Sequence, residues 1–138
     1  MSEWGVFAVC RGVWKHEEFE TDAPFSKREA WLWLVSEAAW KDRKKKIAGK
    51  SITIERGQLS HSIRFMAEAW NWSKSRAMRF VLDIEKSGMV STESGTGQII
   101  ITICKYNEYQ KVALPERDSS GTAAGQTRKQ SNQSIIYF

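Results

Sequence analysis

Hydrophobic positions recur at helical spacing in three stretches of the chain, and a serine that can cap a helix precedes each one. The first stretch follows Ser26, which forms an S-x-x-E capping box with Glu29, and predicts a helix that runs to about Trp40. Trp33 falls on a neighbouring face of this helix. The apolar side comprises Ala30, Trp31, Leu34, Val35, Ala38 and Ala39.

Two further helices are predicted, separated by a turn of three residues. Ser62 caps the first of them, which continues to Trp70, and Asn71 can adopt a left-handed conformation at its end. Ser73 caps the second, whose apolar positions recur at i, i+3, i+4 and i+7, and Gly88 ends it. Those apolar positions are Ala77, Phe80, Val81 and Ile84.

Alternating and β-branched segments predict strands on either side of this helix pair. Ser51–Ile54 alternates with period two and predicts a short strand, followed by turn residues at 55–58. Met89–Glu93 and Gln98–Cys104 predict a hairpin, closed by a tight Gly-Thr-Gly turn at residues 95–97.

The order of these elements predicts an α+β fold, a single winged helix-turn-helix domain over residues 1–112. Trp4–Phe19 lacks a clean period and predicts a lead-in with some helix, and the polar run Lys41–Gly49 predicts a loop. From about Pro115 the composition shifts to Ser, Gly, Thr, Gln and Asn, which predicts a disordered polar tail over residues 113–138.

Composition fits one packed domain. The 138 residues are 41% hydrophobic and include seven Trp, of which Trp31, Trp70 and Trp72 are expected in the core rather than stacked on bases. No apolar run of about 18 residues and no signal peptide is found, so we expect a cytoplasmic protein without a membrane partner. Cys10 and Cys104 lie outside any C-x-x-C motif and are expected to be reduced and semi-buried.

The positive charge is concentrated in the middle of the chain. The net charge is +5, yet residues 1–40 carry four Lys or Arg against seven Asp or Glu. Residues 41–90 carry twelve Lys or Arg against five Asp or Glu, a net charge of +7. Such a concentration favours a polyanionic partner, although basic segments also occur on proteins that bind none.

The third predicted helix carries the candidate DNA contacts. In a helix-turn-helix the second helix lies in the major groove, where side chains near its N-terminus reach base edges. Lys74, Ser75 and Arg79 occupy the exposed side of the first two turns, and no acidic residue of the helix precedes Asp83. The predicted helix, about 21 Å long, is long enough to cross a major groove about 12 Å wide. A solvated helix face is the alternative explanation.

The predicted DNA contacts also include helix caps, flanking residues and a basic run. The helix pair contributes Ser62, Arg64, Ser73, Lys74, Ser75, Arg76, Met78, Arg79 and Lys86, and the run contributes Lys44, Lys45 and Lys46. Simple capping equally explains the two capping serines, and a solvated loop equally explains the basic run. The predicted wing, residues 94–98, has no Lys or Arg, so only polar contacts with the DNA backbone are expected there.

Motifs for catalysis, metals and nucleotides are missing from the sequence. His16 and His61 are the only histidines, and neither has a companion at metal-ligand or nucleophile spacing. The sequence contains no phosphate-binding glycine loop and no G-x-S-x-G. We therefore expect a protein that is not an enzyme and has neither a cofactor nor a metal.

Several short motifs occur together in a particular order. They are Pro24–Trp31, Ile54–Leu59, Ser62–Arg64, Trp70–Ser73, Glu85–Met89 and Ile101–Gln110. In this order and spacing, residues 4–110 resemble the N-terminal winged-helix domain of phage and prophage replication-initiation proteins, the DnaD-like replisome organisers. The resemblance implies a nucleoid-associated protein of a bacterial or phage-infected cell that binds double-stranded DNA, often at an origin, and sometimes forms homo-oligomers. It also implies a partner in the replicative helicase or its loader, although only the polar tail follows Gln110 where longer members have a helical domain.

The function expected from the sequence is therefore non-enzymatic binding of double-stranded DNA in phage or prophage replication initiation. A winged-helix transcriptional regulator would use the same helix and is the nearest alternative. A second alternative is a winged-helix protein–protein interaction module, in which the third helix binds a protein and its charge is incidental.

Overall fold

A computed structural model describes residues 5–95 and 97–110, and the backbone of residues 135–136. Asp22–Tyr106 forms one compact unit, and the described residues on either side of it belong to a second. The chain is a mixed α+β protein with four α-helices and small sheets among its described residues. The predicted domain boundary at residue 112 and most of the predicted disordered tail lie outside the described residues.

The elements follow one another in a simple order along the chain. They are β1 (Ala8–Val9), two 3₁₀ helices (Arg11–Lys15 and Glu17–Phe19), α1 (Lys27–Glu37), β2 (Arg43–Ile47), β3 (Lys50–Ile54), β4 (Gln58–His61), α2 (Ile63–Trp70), α3 (Lys74–Lys86), β5 (Val90–Ser94), β6 (Ile99–Ile103), α4 (Tyr106–Tyr109) and β7 (Ile135–Ile136). In the second unit, β1 and β7 pair in parallel, so these two residues of the predicted tail form a short strand.

Helix α1 begins as predicted and ends earlier than predicted. The capping box is formed, since Glu29 N donates to Ser26 Oγ at 3.1 Å and Ser26 N donates to Glu29 Oε1 at 2.7 Å. The helix stops at Glu37 instead of continuing to Trp40, because the next residue is extended and Ala39 forms backbone hydrogen bonds with residues 57 and 58.

The tryptophans of α1 exchange the positions predicted for them. Trp33 is buried and Trp31 is only half-buried, so the prediction of Trp31 as the core residue is wrong. The buried side of α1 contains Ala30, Trp33 and Leu34, which recur at helical spacing. Both tryptophans suit an apolar stripe by sequence alone, and the packing partners of α1 decide which of them is covered.

The predicted loop over Lys41–Gly49 is wrong, because most of it forms strand β2. This strand pairs antiparallel with β3 from Arg43↔Ile54 to Ile47↔Lys50. Ala48 and Gly49 connect the two strands with φ values of 52° and 82°, and positive φ at both positions is typical of a type I′ hairpin turn. The hairpin therefore gives the basic run an alternating arrangement of side chains, which a loop would not.

A second sheet has three strands in the order β4-β6-β5. The predicted hairpin is confirmed as β5 and β6, and Gly95 N donates to Gln98 O at 2.8 Å across the turn. The turn residue Thr96 lies outside the described residues. Strand β4 was not predicted, yet it pairs antiparallel with β6 in the register Leu59↔Ile101.

The helix pair is built as the sequence predicts. Helix α2 ends at Asn71, whose φ and ψ of 58° and 45° are left-handed, and α3 begins after the Ser73 cap. Trp70 is fully buried and meets Trp33, Trp72 and Phe80 edge-on, with ring centroids 5.0–5.7 Å apart. This aromatic cluster, Trp33, Trp70, Trp72 and Phe80, joins α1, α2 and α3.

Two further expectations concern cysteines and membranes. Both cysteines are free; Cys10 is half-buried as predicted, and the prediction of a semi-buried Cys104 is wrong, since Cys104 is exposed in the turn after β6. None of the helices in the described part of the chain has the length and apolar composition that a membrane span requires.

Candidate nucleic-acid interface

The start of each helix in the pair is fixed by its capping serine. Ser62 Oγ accepts a hydrogen bond from Phe65 N at 3.0 Å, and Ser73 Oγ accepts one from Arg76 N at 3.1 Å. Both serines were predicted as DNA contacts, with capping as the alternative, and both cap their helices. The three residues from Asn71 to Ser73 set the angle at which α3 leaves α2.

Helix α3 has one buried side and one polar, basic side. Ala77, Phe80, Val81 and Ile84 are buried, as predicted. At about 100° per residue, the positions opposite them form a single outward stripe. That stripe comprises Ser75, Arg79, Leu82 and Lys86, all of which are exposed. Lys74 and Met78 lie beside it on one flank, and Arg76 lies on the other.

A groove of about 470 Å³ lies beside the first half of α3. Its walls are the start of α2, the Lys74–Met78 flank of α3 and the turn between β5 and β6. The described residues that line it are Ser62, Ile63, Arg64, Lys74, Met78, Ser94, Gly95, Gly97, Gln98 and Ile99. Its two charged lining residues are both basic, so the groove is suited to an anionic group.

The groove brings together four of the predicted DNA contacts and adds residues from the β5–β6 turn. The four are Ser62, Arg64, Lys74 and Met78. Ser94 and Gln98, polar side chains at the two ends of the β5–β6 turn, belong to the segment 94–98 where only polar contacts were predicted. Sequence reasoning missed Ile63 and Ile99 as lining residues, because their apolar side chains indicate only core positions.

Arg76, predicted as a DNA contact, is exposed but packs on Trp72 and does not line the groove. Its guanidinium lies 4.0 Å from the ring centroid of Trp72, a cation–π contact. The indole of Trp72 is itself fixed, since its Nε1 donates to Phe25 O at 2.8 Å. Arg76 therefore supports the turn between the helices, while Arg79 on the outward stripe has no such contact among the described residues.

Side chains alternate between the two faces of β2, so the three lysines of the basic run lie on different faces of the strand. Lys44 and Lys46 are exposed and lie on one face of β2. Lys45 lies on the other face, where Nζ donates to Ser60 O, and burial lowers the pKa of Lys45 below its ordinary value. The hairpin thus presents Lys44 and Lys46 to solvent and directs Lys45 toward β4.

A hydrogen bond between His61 and Glu37 fixes the end of α1 against β4. His61 Nε2 lies 2.9 Å from Glu37 Oε1, and the His61 ring stacks on Phe65 with centroids 4.5 Å apart. The hydrogen bond from His61 is the largest cause that lowers the pKa of Glu37 below its ordinary value of 4.5, and it outweighs the partial burial of the carboxyl group. Because Phe65 belongs to α2, the fixed His61 ring also stabilises the start of that helix.

Replacing Glu37 by glutamine should make the fold less sensitive to acid. Because folding lowers the pKa of Glu37, its carboxylate stabilises the protein above pH 4.5, and this contribution is lost as the pH falls below that value. We expect the Tm of the wild-type protein to fall more steeply than that of Glu37→Gln as the pH is lowered through this range. Parallel profiles of Tm against pH would contradict the stabilising role of this pair.

The arrangement offers cations, hydroxyl groups and an amide on one surface, donors that suit phosphate oxygens and base edges. The described residues contain no group of three or more His, Cys, Asp or Glu side chains that could hold a metal ion. No protein-family model matches this chain, and neither a curated protein nor a solved structure matches it.

Proposed function

We propose that the protein is a winged-helix protein that binds double-stranded DNA, with α3 in the major groove and the β5–β6 turn as the wing. The order of elements supports this proposal. A short left-handed turn joins α2 to α3, and a three-stranded antiparallel sheet is formed by β4 before the helix pair and by β5 and β6 after it. Such an arrangement lets the first helix cross the DNA backbone while the second enters the groove.

The groove between α3 and the wing is the observation that carries the proposal. Arg64 and Lys74 are its charged lining residues, and the adjacent outward stripe adds Arg79 and Lys86. The first acidic residue of α3 is Asp83, so the half of the helix nearest the groove is purely basic. Binding of such a surface to a phosphate backbone is favourable because it releases the counterions condensed on the DNA.

The β2–β3 hairpin adds a second basic surface for the phosphate backbone. Lys44 and Lys46 are two residues apart on one face of a strand, about 7 Å from each other. In the described part of the chain neither forms an ion pair. We assign these two lysines to contacts that position the duplex without reading its sequence, and we assign Lys45 to the support of β4.

The biological role that we propose is phage or prophage replication initiation, on the strength of the sequence resemblance described above. One helix and one wing cover only about 600–1,000 Å² of protein surface on DNA, which supports modest affinity for a single copy. Tight binding at an origin would then need several copies on adjacent sites. The replicative helicase or its loader is the partner that this role implies.

Selection of bound duplexes from random and phage genomic DNA tests the proposal. Enrichment of duplexes from a replication origin, with a matching footprint, supports the replication role. Enrichment of promoter duplexes would instead assign the protein to transcriptional regulation. If no duplex is retained at low salt, the protein does not bind DNA, and a protein partner for α3 becomes the better explanation.

A further inference from the structure

Two apolar side chains interrupt the basic surface of α3. Met78 and Leu82 are 37% and 49% exposed, although the helix buries four other apolar residues. They are four residues apart, so they lie next to each other on the helix surface. Met78 lines the groove beside Lys74, and Leu82 lies on the outward stripe between Arg79 and Lys86. The result is an apolar patch, Met78 and Leu82, with Lys74, Arg79 and Lys86 beside it and with Asp83 and Glu85 near its C-terminal end.

The apolar patch falls in the part of α3 that the proposed function places inside the major groove. From Ser75 to Leu82 the helix rises about 10.5 Å, which fits within a groove about 12 Å wide. In that groove the edges of base pairs present hydrogen-bonding groups, and the C5-methyl of thymine is the apolar exception. An apolar side chain held there has one kind of apolar partner among the four bases.

We propose that Met78 and Leu82 contact thymine methyl groups and thereby make α3 prefer A·T pairs at the positions they face. This inference rests on the proposed function, because it requires α3 to enter the groove. The surrounding basic side chains hold the phosphates and bring the apolar patch against the base edges. Met78 and Leu82 are therefore specificity-determining residues, whereas Lys74 and Arg79 supply most of the affinity.

A second copy of this chain is a less suitable occupant of the apolar patch. A two-fold contact places the same surface of both copies face to face. Around the patch, such a contact would bring Lys74, Arg79 and Lys86 of one copy close to the same residues of the other. Like charges that meet in this way oppose association, whereas the same cations favour DNA.

Replacement of thymine by uracil tests the inference, since uracil pairs identically and lacks the methyl group. For each thymine methyl that touches the patch, we expect the wild-type protein to bind an alternating A·U duplex about 4-fold more weakly than the A·T duplex. Leu82→Ala and Met78→Ala should each reduce this ratio toward 1. Leu32→Ala, on α1 and equally exposed at 50%, is the matched control and should leave the ratio unchanged.

The outcomes separate the inference from the function on which it rests. If the wild-type protein binds both duplexes equally well, the thymine contact is wrong and DNA binding stands. If it binds neither duplex at low salt, the proposed function fails as well. If the ratio of A·T to A·U affinity is unchanged in both Met78→Ala and Leu82→Ala, the assignment to these residues is wrong. A wild-type dimer in sedimentation that dissociates in Leu82→Ala would also overturn it.

Discussion

Arg79→Glu should weaken duplex binding by about 100-fold while leaving the fold intact. A contact from Arg to a base or phosphate contributes about 1–3 kcal/mol, and a glutamate at the same place adds repulsion from the phosphates. Arg79 is exposed on the outward stripe of α3, opposite the buried side, so the substitution removes no core contact. Fluorescence anisotropy of a labelled duplex measures the affinity, and circular dichroism monitors the fold.

The matched control for this variant is Lys105→Glu, which makes the same change in net charge. Lys105 is exposed and lies just beyond Ile103, the end of β6 remote from the β5–β6 turn; Ile99 and Ile103 are themselves about 13 Å apart along the strand. We expect it to weaken binding by less than about 3-fold, since exposed charges beyond a Debye length are screened. If Arg79→Glu binds as tightly as Lys105→Glu, α3 is not the recognition element.

Trp70→Ala should be the most destabilising single substitution in the larger unit. Trp70 is fully buried, and its ring contacts the rings of Trp33, Trp72 and Phe80. Truncation of a large buried aromatic residue costs about 3–5 kcal/mol, a large part of the roughly 5–15 kcal/mol that stabilises a typical domain. Denaturant unfolding followed by tryptophan fluorescence and circular dichroism measures the free energy of unfolding.

Trp40→Ala serves as the control for loss of an indole ring. Trp40 is 55% exposed, and Lys41 Nζ lies 4.9 Å from the centroid of its ring. We expect the free energy of unfolding to change by less than about 1 kcal/mol, as is usual at exposed positions. A comparable loss in both variants would mean that the aromatic cluster around Trp70 does not organise the core.

The parts of the fold that follow from local chemistry were predictable from the sequence. The capping box at Ser26, the caps at Ser62 and Ser73 and the left-handed Asn71 all depend on residues within one turn of each other. The glycine-containing turn of the β5–β6 hairpin is similarly local. Each of these signals acts through hydrogen bonds that the neighbouring residues satisfy, so tertiary context did not override them.

The errors concern segments whose structure depends on distant partners. Five of the six residues Lys41–Lys46 are basic and the sixth is acidic, so nothing local indicates a strand; pairing with Lys50–Ile54 creates it. Ala48 stands where a hairpin turn usually has Asn or Asp, which hid the turn. Strand β4 has only four residues and exists because β6 lies beside it.

The candidate site was predictable residue by residue on the helices, but at the β5–β6 turn the sequence predicted only unspecified polar contacts. Arg64, Lys74 and Met78 follow from helical periodicity, and the structure places them along one groove. Ser94 and Gln98 carry no charge, and their proximity to α3 depends on how the sheet packs. Which lysine of the basic run faces inward depends on strand register, a property that a loop prediction lacks.

The salt dependence of duplex affinity tests DNA binding by the basic surface most directly. If about four to six basic side chains contact phosphates, the logarithm of the binding constant should fall against the logarithm of salt concentration with a slope of about −4 to −5. Anisotropy titrations of one labelled duplex, from low to physiological salt, give this slope. A slope near zero, or no binding at low salt, would contradict the proposal that this surface binds DNA.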